Sequence, residues 1–264
     1  MAISHGRKIG AETPGSAVSL LFAAGRRPGA EAIRRVAEAQ AGFSISLDPA
    51  CDGAGDPAVS AEPRQVWLEL LTNGLTFDLM GLAPGAPAEP SPCVHAYALA
   101  ANADAAGLET LTIRPGPHLT GGHGMMPIVR SLAWLAATLS RIAGVEAIAW
   151  HPARSWCGPE FFRQGVLTWI EGGVFPGLGL TALAVTPDGG MQSEGLSLFA
   201  GQDLRIEPEL VLDKADAAKI GLRLIDYMVA AGRIDAPQRI KGHDGRALRL
   251  EPSTNGRFVR VWRG

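Results

Sequence analysis

The chain has 264 residues, 47% of them hydrophobic, which is enough for a sizeable core in one large domain or two small ones and excludes a disordered chain. Its 24 basic and 26 acidic side chains leave a formal charge of -2 and a pI near 6.3, so no global pull toward nucleic acid or an anionic membrane is expected. Three cysteines, Cys51, Cys93 and Cys157, are odd in number and far apart, the pattern of reduced cytoplasmic thiols rather than of a disulfide framework.

Arg7 and Lys8 precede the apolar run SAVSLLFAAG, which has about the length of a signal-peptide core. Pro14 and Gly15 separate the charges from the run, no clean small-x-small site follows, and GRRPGAEAIRRVAEAQ continues at once as a helix pattern. The run therefore predicts a buried first strand at 17 to 23 in a cytoplasmic chain, and no other stretch approaches the roughly 18 apolar residues of a membrane span. Ile33, Val36 and Ala37 form one helical face, and FSISL alternates as a second strand. VWLELLTNGLTFDLM then offers two apolar strands around Asn73-Gly74, a strong hairpin signal.

The Pro, Ala and Gly-rich segment 81 to 93 is the candidate internal boundary. Beyond it VHAYALA and LETLTIRPG read as strands. A helix is predicted from Pro127 to about Ala143, with Ile128, Leu132, Leu135 and Leu139 at three- and four-residue spacing, and a strand at 146 to 151. A helix at 159 to 171, strands near 179 to 185, 195 to 200 and 203 to 207, a long helix at 214 to 231 and a hairpin around Asn255-Gly256 complete the pattern. The expectation is an α+β fold of mixed sheets, with two related strand-helix-strand lobes and several hairpins. Residues 1–264 are read as a single compact unit whose lobe boundary would lie within 81–93.

GLSLFAGQDLRIEPEL at 195 to 210, the helix ending YMVAAGRI, and the strands around GHDGRALRLEPS and FVRVW make residues 147–264 resemble the C-terminal part of an uncharacterised bacterial family, domain of unknown function 4261. Gly195, Leu196, Phe199, Leu204 and Ile206 match its pattern of Gly-Leu, Phe-Gly and Glu-Leu-Glu-Ile; Asp203 stands at the first glutamate, while Ala200 and Arg205 depart from the glycine and the second glutamate. The resemblance implies a fold and no activity.

Trp156-Cys157-Gly158-Pro159 looks like the front half of a thioredoxin-type site, because a thiol at a helix start gains thiolate character. Glu160 occupies the position a resolving cysteine needs, so Cys157 reads as structural and Trp156 as a core aromatic. His118, His123 and His151 follow the ends of the strands at 108 to 114 and 146 to 151. Parallel neighbouring strands would bring all three to one sheet edge beside Trp156 and Cys157, making these five residues the ligand-pocket candidates. Their spacing fits no helix-borne zinc motif. The glycines of TGGHGMMP could expose N-H groups to an anion, since Met126 would be a poor cap for the helix behind Pro127.

Acids from Glu194 to Asp213, with Asp203, Glu207 and Glu209 among them, read as a solvated strand face that Arg205 partly neutralises. Residues 239 to 264 hold seven Lys or Arg against two acids, and Arg260 lies between Phe258 and Trp262 on one strand face, which resembles a small basic and aromatic platform. No Gly-x-Ser-x-Gly elbow, His-Glu-x-x-His, Cys-x-x-Cys pair or dinucleotide fingerprint occurs. No residue is therefore assigned a catalytic or metal-ligating role, and no cofactor is assigned. The leading expectation is a non-catalytic cytoplasmic protein that binds a small molecule or a protein, with membrane and nucleic acid disfavoured as partners. The alternative is a hydrolase or transferase using the histidine-lined edge, with or without a metal.

Overall fold

The computed structural model describes residues 16–51, 66–100, 107–122, 124–242 and 245–264. The chain opens with β1 (Val18–Ala23), α1 (Ala30–Ala39), β2 (Ser44–Leu47), β3 (Trp67–Thr72) and β4 (Leu75–Met80). It continues with β5 (His95–Tyr97), β6 (Leu108–Pro115), α2 (Met126–Leu139), β7 (Val145–Trp150), β8 (Ser155–Cys157) and α3 (Pro159–Ile170). The last third holds α4 (Gly177–Leu180), β9 (Ala182–Val185), β10 (Met191–Glu194), α5 (Ser197–Ala200), β11 (Asp203–Ile206), α6 (Lys214–Ala231), β12 (Gln238–Lys241), β13 (Ala247–Pro252) and β14 (Phe258–Arg263). Two mixed sheets result, in an α+β fold with hairpins. The first has the order β2-β3-β4-β6-β1-β7-β8-β5 and the second β12-β13-β14-β11-β10-β9. Among the described residues no helix is long and apolar enough to cross a membrane.

Local rules account for most of these elements. Asn73 (φ 51) and Gly74 (φ 74) both take positive φ, as a two-residue turn between right-twisted strands requires, and β3 and β4 pair from Thr72↔Leu75 outward. Asp213 caps α6 by accepting from the N-H groups of Ala215 and Asp216. In α2 nearly every side chain is buried, because the helix packs on β1, β4 and β6 on one side and on α3 on the other.

The strand-helix-strand units β1-α1-β2 and β6-α2-β7 both belong to the first sheet, so the repeated pattern does not mark two lobes. β6 and β7 run in the same direction, and each pairs antiparallel with β1, which lies between them. They are thus parallel but not neighbours, a split β-α-β arrangement. The chain passes from the first sheet to the second at 158–181. The segment 81–93 runs along the first sheet instead: the Gly81 carbonyl accepts from Arg27, and Ala88 bridges to Thr110.

Alternation along the strands gives each sheet two different faces. In the first sheet, Val18, Leu20, Phe22, Leu111, Ile113, Ile148 and Trp150 join the main core. In the second, Leu204, Ile206, Leu248, Leu250, Val259 and Val261 point to the same core, alongside Leu224, Ile225 and Met228 of α6. The join is aromatic. Trp150 stacks on Phe199 at 6.4 Å and lies 6.5 Å from Phe162, while Phe175 meets Phe199 at 4.8 Å and Trp169 at 5.3 Å, both edge to face. Replacing Phe199 by Ala should cost about 3–5 kcal/mol. Urea unfolding followed by far-ultraviolet circular dichroism and by tryptophan fluorescence should still give one coincident transition, because both sheets share these rings.

Candidate functional site

The look-alike at 155–159 has a packing explanation. Ser155 and Cys157 point to one side of β8 and Trp156 to the other. Cys157 is buried against α4, where a Cβ on Gly179 would meet its Sγ at 3.1 Å, and burial pushes its thiol up to about 12. Trp156 packs with Leu21, Ala147 and Ala149 on the opposite face, and its indole N-H donates to the Ser91 carbonyl at 3.2 Å. Gly158 is required by contact rather than chemistry, since a Cβ there would lie 2.1 Å from the Ala98 carbonyl oxygen. Pro159 takes the first position of α3.

The histidine candidates separate in the same way. His151 Nε2 lies 2.8 Å from Ser19 Oγ, which is itself 2.8 Å from Thr112 Oγ1, a polar chain across β7, β1 and β6 on the face shared with Trp156. His118, in the turn Pro117–Gly122, approaches Thr76 Oγ1 of β4 at 3.4 Å. Three strand spacings, roughly 14 Å, separate the β4 and β7 anchors, because β1 and β6 stand between them. His123 lies outside the described residues. Among the described residues no group of three His, Cys, Asp or Glu could hold a metal. The cap of α2 is Met125, one residue before the expected Met126, and no side chain caps it.

The acids between 194 and 213 do not form one solvated face. Asp203 is largely buried where the chain turns back at 195–197; it accepts from Ser193 Oγ at 2.8 Å and from the Leu196 N-H at 3.0 Å, and desolvation raises its carboxyl. Arg205 pairs with Asp188, not with Asp203 or Glu207. Glu207 accepts from Arg260 Nε at 2.7 Å, and Glu209 from the Arg263 N-H at 2.8 Å.

Glu194 belongs to a cluster that sequence reasoning missed. At the end of β10 in the second sheet, it accepts from both Nε and Nη2 of Arg154 and lies 3.0 Å from His95 Nε2 on β5 of the first sheet. Arg154 takes a left-handed conformation (φ 47, ψ 37), and its carbonyl accepts from the N-H groups of Val94 and His95. Burial alone would raise the Glu194 carboxyl, but the hydrogen bonds from Arg154 and His95 outweigh it and hold the group below its ordinary value of 4.5. No local signal announces a contact between residues 99 positions apart.

The open face of the second sheet is the other cluster. α6 covers the back of β11 and β10. By the registers Arg239↔Arg249, Arg249↔Trp262, Glu251↔Arg260 and Arg205↔Arg260, the front carries Arg239, Lys241, Arg249, Glu251, Arg260, Trp262 and Arg205. The guanidinium carbons of Arg260 and Arg249 stand 4.7 and 5.0 Å from the centre of the Trp262 ring. The platform expected around Arg260 is thus widened by β12 and β13. It ends at a cavity of about 320 Å³ lined by Ser197, Asp203, Arg233, Arg257 and Phe258 among others.

No protein-family model matches the chain, and neither does any curated protein or solved structure.

Two outcomes check this geometry. At pH 8 a thiol reagent should modify the exposed Cys51 and Cys93 in the folded protein and reach Cys157 only after denaturant is added, as counted by mass spectrometry. Glu194→Gln should lower the melting temperature at pH 7. A carboxyl held low in the folded state contributes stability above its unfolded value and loses it as the pH falls through the folded value. The gap between the variant and the natural protein should therefore close on acidification below about 4.5, in thermal melts at graded pH.

Proposed function

We propose that the chain is a non-catalytic cytoplasmic binding or interaction protein, and that it binds its partner on the open face of the second sheet. The observation that carries this reading is the arrangement around Trp262: a half-buried aromatic engaged by two guanidiniums, on a sheet surface whose back is packed and whose front is exposed. Trp and Arg are among the residues that dominate binding energy at interfaces, Trp through its large apolar contact area and Arg through its planar fork of donors. The same proposal includes the likeness of residues 147–264 to domain of unknown function 4261. It rests on Gly195, Leu196, Phe199, Leu204 and Ile206 and brings no activity with it.

A second reading has one observation in its favour. The 2.8 Å approach of Ser19 Oγ to His151 Nε2 has the spacing of a hydroxyl and its general base, which is what a hydrolase or transferase at the histidine-lined edge would use. Ser19 is fully buried in mid-strand, and that weighs toward a structural hydrogen bond.

Cross-linking in an extract of the natural host compares the readings. The natural chain should capture partners that a Trp262→Ala, Arg249→Ala variant with an unchanged circular dichroism spectrum loses, whereas Ser19→Ala should lose none. Covalent modification of Ser19 by a serine-reactive phosphonate, abolished in His151→Ala, would favour the enzyme instead.

A further inference from the structure

We infer that the occupant of this face is an extended acidic protein segment, with carboxylates on alternate residues, lying along β13 and β14. The inference rests on the binding reading above and adds the chemistry of the partner. Charge is its first support. Residues 239 to 264, which build β12, β13 and β14, hold seven Lys or Arg against two acids in a chain whose overall formal charge is -2, so this part of the sheet carries a positive surplus that the chain as a whole lacks.

The second support is how the cations are held. Arg260 donates its Nε to Glu207 at 2.7 Å, and Arg249 forms an ion pair with Glu251, its Nε 3.2 Å from Oε1. Each guanidinium is thereby fixed in orientation through one nitrogen, while its two terminal nitrogens retain the fork that suits a carboxylate. Both side chains are nearly half exposed, at 46% and 44%. On the edge strand β12, Arg239 and Lys241 are exposed and make no ion pair among the described residues.

Spacing is the third. Arg239, Arg249 and Trp262 form one row across the strands, and Glu251, Arg260 and Arg205 form the next, two residues along. Two residues of extended chain span about 6.8 Å. Alternate side chains of an extended segment project on one side at that same interval, so successive carboxylates reach successive rows. Single-stranded nucleic acid fits less well. The Trp262 ring is already engaged by two cations, where a nucleic-acid platform offers aromatic faces to bases, and Glu251 interrupts the second row.

The test is fluorescence anisotropy with a labelled alternating Glu-Ser peptide of about ten residues and, separately, an oligothymidylate of about twelve nucleotides. The peptide should bind at low salt and lose affinity at least tenfold in 0.3 M salt. A comparable loss is expected for Arg249→Ser with Arg260→Ser, and independently for Arg239→Glu with Lys241→Glu, whose side chains make no ion pair among the described residues. Lys219→Ser, on the helix at the back of the sheet, should leave affinity unchanged. No peptide binding at low salt, binding by either face variant as tight as by the natural chain, or tighter binding of the oligonucleotide overturns the acidic segment. Those results would leave the face itself to be judged by the capture experiment, where loss of partners in the Trp262→Ala, Arg249→Ala variant is read without any assumption about their charge.

Discussion

Trp150 stacked on Phe199 is the contact on which the rest depends. Trp150 closes β7 in the first sheet and is fully buried, and Phe199 sits in the short helix α5 that leads into β11 of the second. With Phe162, Trp169 and Phe175 around them, these rings make one continuous core from two sheets that share no strand. Aromatic side chains bury large areas and prefer offset-stacked or edge-to-face contacts, so a cluster of five orients the helices between the sheets as well as joining them. Arg130 adds a guanidinium 4.6 Å from the Trp169 ring and donates to the Ile170 carbonyl, tying α2 to the end of α3.

Around that join, polar residues are spent on fastening. His95, Arg154 and Glu194 clip the first sheet to the second at the rim of the core, and Ser155 and Cys157 seat β8 against α4. The left-handed backbone of Arg154 follows from this arrangement. In that conformation one residue directs its side chain to Glu194 and its carbonyl to the N-H groups of Val94 and His95 at the start of β5. The chain Thr112-Ser19-His151 does similar work in mid-sheet, where unpaired hydroxyls would be costly.

The second sheet differs because only one of its faces is needed for the core. α6 and the aromatic cluster cover the back, and the front is left to arginines braced by Glu207, Glu251 and Asp188 and to Trp262. Bracing matters to binding, since a guanidinium already fixed by one carboxylate loses less freedom when it meets another.

Local and periodic features were legible in the sequence: the Asn73-Gly74 turn, the buried first strand, the apolar α2, the long α6 and the mixture of strands and helices that makes the fold α+β. These follow from backbone preferences and from which side chains can be buried together, and both are written into neighbouring residues. The Arg260, Trp262 platform could also be read, because its residues alternate on one strand. What only the tertiary structure decided is everything that needs strand order. Inserting β1 between β6 and β7 separated His118 from His151, alternation along β8 sent Trp156 and Cys157 to opposite faces, and both strand-helix-strand units fell into one sheet. His95 and Glu194 met across 99 residues for the same reason. A sequence constrains each strand's faces, but which strands become neighbours is settled by how the whole apolar surface is buried at once, and that choice leaves no trace in any short window.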